Sequence, residues 1–176
     1  MATAKKPVVP DFGDDDAGDR KLAIICSKGN LDMAYPGLIL GNAAAVEGVE
    51  VHLFFTFWGF DMIHKKRSKK LKFTPMGNTA MHMPVVGIRV PQWLAWLPGM
   101  QPFATWMMKK QIRDLDVPTV PDFLDQLTAA GVKLWGCQMS YDMMKLSMDD
   151  LRDDVEDVIT AADFIELSDG AQTIFV

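Results

Sequence analysis

The chain is poor in the residues that build metal and redox centres: two cysteines and three histidines among 176 residues. Cys26 and Cys137 are too few for the disulfide framework of a small secreted domain. No C-x-x-C or H-E-x-x-H spacing occurs, and His52, His64 and His82 fall on separate segments, so neither a metal nor a cofactor is expected. Nucleotide fingerprints are also missing: Ser27-Lys28-Gly29-Asn30 offers one glycine where a dinucleotide loop needs three. There is no Ser-His-Asp order with a nucleophile elbow. No uninterrupted apolar run is long enough to span a bilayer. Residues 90–108 come nearest, but Pro91, Pro98, Gly99 and Pro102 break them repeatedly. Met1 to Lys6 lead into prolines and acids instead of an apolar run, so no secretory signal is expected. A cytoplasmic protein with reduced thiols follows, and peripheral contact with a membrane stays open.

Charge is unevenly spread. The net charge of -5 comes from acids crowded at Asp11–Asp19 and Asp149–Asp157, with a basic block between them. That distribution speaks against a nucleic-acid-binding surface. The block packs Lys65, Lys66, Arg67, Lys69, Lys70 and Lys72 into eight residues. Such a run is either a solvated face or a docking surface for an acidic carrier protein or anionic lipid. Lys65, Lys66, Arg67, Lys69 and Lys70, with Trp93 and Trp96 beyond them, are the partner-binding candidates. Residues 84–108 carry Trp93, Trp96, Leu97, Phe103 and Trp106 with little charge, which predicts a homo-oligomer.

Along the chain, residues 1–19 read as a disordered acidic tail and 20–176 as one α/β domain with a Trp/Met/Pro-rich insertion at about 73–110. Lys21–Cys26 and Val49–Phe57 are short, nearly continuous apolar runs, as strands buried on both faces require. A small-sided helix between them starts at 32–36 and stops at Gly48. Further helices are expected at 103–113, Thr119–Ala130, Tyr141–Leu151 and Thr160–Leu167, with strands at Val132–Gly136 and Gln172–Val176. Alternating strands and helices predict a parallel sheet with helices on both faces, binding ligands beyond the carboxyl ends of its strands.

Cys26 and Cys137 both fall at such ends. Leu134-Trp135-Gly136-Cys137-Gln138-Met139-Ser140-Tyr141-Asp142 reads as a buried strand, a cysteine at the turn and the first turn of a helix. Unpaired N–H groups there favour a thiolate, the form that attacks other sulfur atoms. Packing of a small apolar residue is the alternative. Ser140 or Asp142 is expected to cap the helix.

Three segments together resemble the DsrE/DsrF/DsrH-like family, and within it the larger second DsrE subfamily, sometimes labelled peroxiredoxin-like. They are V-H-L-F-F-T-F-W-G-F (51–60), C-Q-M-S-Y-D-M-M (137–144) and P-G-M-Q-P-F-A-T-W-M-M-K-K-Q-I (98–112). The resemblance implies an α/β/α sandwich around a mostly parallel sheet, commonly oligomeric, which carries sulfur as a cysteine persulfide in relays with rhodanese-like and TusA-like proteins. It carries the family cysteine over to Cys137. Sulfane-sulfur transfer, a sulfurtransferase-like activity, is the function it implies. Gln138, Ser140 and Asp142 are the supporting candidates beside Cys137, and Cys26 is either a second thiol or an ordinary residue at the end of a buried strand. This chain departs from the family in its first loop, Cys26–Asn30, and in lacking a Gly-rich element at Val155–Ala162. A non-catalytic binding or scaffold protein and a Cys26/Cys137 thiol redox sensor stand as rival readings.

Overall fold

The computed structural model describes residues 20–79, 81–82 and 89–176. The acidic tail and part of the expected insertion therefore lie outside the described residues. Five strands form one sheet: β1 (Lys21–Cys26), β2 (Glu50–Phe55), β3 (Lys133–Cys137), β4 (Val155–Ile159) and β5 (Gln172–Phe175). Their order is β4-β3-β2-β1-β5, and every pairing is parallel. The chain moves one strand at a time from β1 to β4 and then crosses the whole sheet to β5. Crossovers in such sheets are right-handed, so the reversal of direction puts the last helix on the opposite face from the others.

Helix α1 (Leu31–Val46) links β1 to β2, and α5 (Val120–Ala129) leads into β3; the two pack on each other over one face. Helix α7 (Ala161–Leu167), between β4 and β5, covers the other, where Phe164 stacks on Phe54 of β2 with ring centroids 4.2 Å apart. The layers are α/β/α. The central strands are apolar because both their faces are covered: Ala23, Ile24, Leu53, Phe55 and Leu134 are fully buried. Gly48, with φ +74°, ends the turn after α1 in the left-handed conformation that favours glycine.

Between β2 and α5 lie short pieces: α2 (Phe60–Ile63), a 3-10 turn at Ser68–Lys70, α3 (Gln92–Ala95) and α4 (Met100–Asp114). Pro98 and Gly99, the latter at φ +90°, separate the last two. Among the described residues no helix is long and apolar enough to cross a membrane.

Two expectations fail. The helix expected over Tyr141–Leu151 is the short α6 (Gln138–Met143), followed by a 3-10 turn at Met148–Asp150. Lys145, at φ +52°, breaks it. Strand β4 was not anticipated. Its Glu156 and Asp157 hide it from an apolar-run reading; both are exposed because β4 is an edge strand, where charged side chains block pairing with another chain.

Candidate functional site

Cys137 is the last residue of β3 and the N-cap residue of α6, with φ -80° and ψ 119°. No side chain caps this helix by a hydrogen bond, that of Cys137 included, so the thiol sits at the helix start with the first-turn N–H groups uncapped by any side chain. The residue is 5% exposed. The elements beside it carry an exposed apolar rim: Phe57 and Trp58 after β2, and Met139 and Met143 on α6.

Ser140 is completely buried, and its hydroxyl is turned away from a capping role. Its Oγ accepts the Phe57 N–H at 2.8 Å and shares a hydrogen bond with Thr56 Oγ1 at 3.1 Å. Phe57 needs that anchor, because its φ of +45° is costly for a residue with a bulky side chain. Ser140 thus ties α6 to the end of β2 instead of holding charge at the cysteine. Asp142 does not cap either. It lies inside α6 and accepts the Gln138 side-chain amide at 2.9 Å, one helical turn away. Neither expected cap is made, and Cys137 occupies the N-cap position without a side-chain hydrogen bond.

Cys26 does not join the site. The register aligns Cys26 with Phe55, and Phe55 with Gly136, so all of β2 separates the two cysteines. Two strand spacings put their Cα atoms about 10 Å apart, beyond the reach of a disulfide. They also face opposite ways. Cys26 packs against α1, where a Cβ on Gly37 would stand 3.1 Å from its Sγ. Gly136 shares the row and the face of Cys26; Cys137, the next residue, projects to the other side. Burial pushes the Cys26 thiol up to about 12, so it stays protonated and unreactive near neutrality. A thiol sensor built on this pair, and Cys26 as a second carrier, do not fit the fold.

The motif around Trp58 has a packing reason that the sequence did not disclose. A Cβ on Gly59 would meet the Cys26 carbonyl oxygen at 2.0 Å, and the Gly59 N–H donates to the Ser27 carbonyl at 3.2 Å. Only glycine lets this turn lie on the end of β1. Thr56 was missed as well. A polar residue closing a buried apolar strand needs a partner, and that was the available signal. His64 is buried, with its Nδ1 accepting the Lys66 N–H at 3.1 Å. Burial lowers its pKa, as does Arg67.

The basic block divides. Lys65 pairs with Asp153 at 2.8 Å and Arg67 with Asp61 at 3.1 Å. Lys66, Lys69 and Lys70 have no such partner among the described residues. A hollow of about 390 Å³ at the carboxyl end of the sheet is bordered by Gly29, Trp58, Arg67, Lys70 and Lys72. Trp93 and Trp96 lie farther along the chain, 67% and 73% exposed. Among the described residues no three histidine, cysteine, aspartate or glutamate side chains are grouped to hold a metal.

Comparison with known proteins places this architecture. Over 149 residues the chain is 39% identical to the sulfur carrier protein DsrE2 of Allochromatium vinosum, covering 82% of this chain and 91% of that one. The uncharacterized protein YrkE of Bacillus subtilis is 26% identical over 167 residues, 89% of this chain and 97% of the relative. Among solved structures, the protein of unknown function MTH1491 from Methanobacterium thermoautotrophicum superimposes with a TM-score of 0.53 at 12% identity, covering 90% of this chain and all of that one. The ychN protein of E. coli gives 0.50 at 12% identity over 89% and 99%. These two share the fold. The model of the DsrE/DsrF/DrsH-like family matches residues 18–175, and the chain belongs to that family.

Proposed function

We propose that the protein is a sulfur carrier that holds sulfane sulfur as a persulfide on Cys137. The observation that carries this reading is the placement of Cys137: a thiol at the carboxyl end of an interior parallel strand, at the N-cap position of a helix that no side chain caps. The 39% identity to a protein named a sulfur carrier supports it.

In the proposed step, the Cys137 thiolate attacks the outer sulfur of a donor persulfide. The donor's S–S bond breaks, its inner sulfur leaves as a thiolate, and Cys137 ends as Cys–S–SH. An acceptor thiolate then attacks that outer sulfur and releases the Cys137 thiolate. Sulfur moves with no net oxidation. The added atom stands about 2 Å beyond the cysteine sulfur, which extends the reactive end from a nearly buried position. Phe57, Trp58, Met139 and Met143 are the exposed apolar side chains on the neighbouring elements, and thioethers adapt to differently shaped partners. Lys70 and Lys72, beside Trp58, supply a positive flank for an acidic donor or acceptor, of rhodanese-like or TusA-like type.

The test is transfer in two stages. Protein exposed to a persulfide donor and freed of it by gel filtration should pass sulfur to a fresh thiol acceptor; Cys137→Ser should pass none and Cys26→Ala should pass it normally. Transfer by Cys137→Ser would refute the assignment.

A further inference from the structure

A hollow of about 360 Å³ opens where α1 and α5 begin, bordered by the end of α4 and the Ser68–Lys70 turn. That size falls in the range of sites for small organic ligands. Its position is at the carboxyl end of the strands, where parallel sheets bind their ligands. The walls are apolar, made by Leu31, Leu71, Ile112 and Val120. Tyr35 borders it too, but its hydroxyl is already donated to the Pro118 carbonyl at 3.0 Å.

The rim is cationic. Lys69, Lys109 and Arg113 face the hollow, and none pairs with a carboxylate among the described residues. One carboxylate, Asp122, shares the rim, and its Oδ2 accepts the Thr119 hydroxyl at 2.6 Å. On the far side of Leu71, Lys109 and Arg113 a second hollow of about 340 Å³ continues past Lys70 and Lys72 to Trp106. Five cations without a carboxylate partner among the described residues therefore line one seam of a chain whose net charge is -5.

We propose that this seam binds a single-chain anionic amphiphile of the fatty-carboxylate class. A bare anion would leave the apolar walls unused. A neutral hydrocarbon would desolvate the rim cations without compensating them. An amphiphile satisfies both. Its carboxylate takes charge-assisted hydrogen bonds from Lys109 and Arg113, and its methylenes lie between Ile112, Leu71 and Val120, each adding roughly fourfold in affinity on full burial. Cys137 does not border the seam, and the carboxylate contacts at Lys109 and Arg113 are separate from the sulfur reading, which shares only Lys70 and Lys72 with it.

Calorimetric titration of the full chain with sodium dodecanoate, kept below its micelle concentration, tests this. Saturable binding is expected, with acetate and dodecanol weaker by about tenfold or more, since each lacks one half of the recognition. The double variant Lys109→Gln/Arg113→Gln should bind dodecanoate about tenfold more weakly, the usual loss for removed charge-assisted bonds, with its thermal melt unchanged. Absence of saturable binding would overturn the proposal, as would binding that ignores the double variant. Binding to anionic vesicles without binding of monomeric dodecanoate would also overturn it and would assign the cations to a lipid surface.

Discussion

Cys26 buries its sulfur against α1 and loses its acidity there. Burial raises the thiol to about 12 from an ordinary value near 9. The sign of the consequence follows from linkage. A group whose folded-state pKa lies above its unfolded value holds its proton more tightly in the folded state, so its stabilisation is complete below the unfolded value and is lost as pH rises through the folded one. Between pH 9 and 12, wild-type stability should therefore fall more steeply than that of Cys26→Ala. Urea denaturation at several pH values measures the difference; parallel curves would show that the thiol is not held neutral by burial. His52 works in the opposite direction. Burial lowers its pKa against the pull of Glu50, which accepts from its Nε2 at 3.1 Å while Nδ1 accepts the Trp135 indole N–H at 3.2 Å. That arrangement holds the neutral ring, so its contribution is present above the ordinary histidine value and is lost in acid.

Elements differed in how plainly the sequence announced them. β1 and β2 were legible because a strand covered on both faces must be apolar along its length. β4 was not, because its outer edge calls for charge, and Glu156 and Asp157 look like a loop. The end of α6 depends on a left-handed Lys145, which no propensity signals. Cys137 could be placed at the end of a strand and the start of a helix, whereas the Ser140–Thr56–Phe57 clamp joins residues more than eighty positions apart and needs the fold to be seen. That clamp predicts a specific loss. Ser140→Ala removes the acceptor of the Phe57 N–H and the partner of Thr56, at a cost of about 1–3 kcal/mol. It should also let Phe57 relax from φ +45° and slow sulfur loading of a protein that is still folded. Denaturant melts and loading rates on the same sample separate the two effects; a variant with wild-type stability would show that the clamp carries no strain.

At the scale of the whole molecule, one chain leaves much apolar surface in water. Trp93, Trp96, Leu97, Phe103 and Trp106 are exposed, with Phe103 stacked on Trp106 at 6.1 Å. On the sheet face that carries α7, Ile165 and Phe175 are each 70% exposed. Monomers seldom leave so many large apolar side chains in water, and self-association into a closed assembly is the expected outcome. Light scattering at micromolar concentrations should give a multiple of 19.6 kDa. A monomer mass throughout, with tryptophan emission typical of water, would instead leave the aromatic segment to a different partner; a blue shift on adding anionic vesicles would identify that partner as lipid.

The carrier role itself rests on which sulfur atom accepts sulfur. Intact and peptide-resolved mass spectrometry after exposure to a persulfide donor reads this directly, as additions of about 32 Da for each sulfur gained. Additions confined to the Cys137 peptide, kept in Cys26→Ala and absent from Cys137→Ser, are the predicted result. Additions on Cys26, or none on either cysteine in a folded protein, would contradict it.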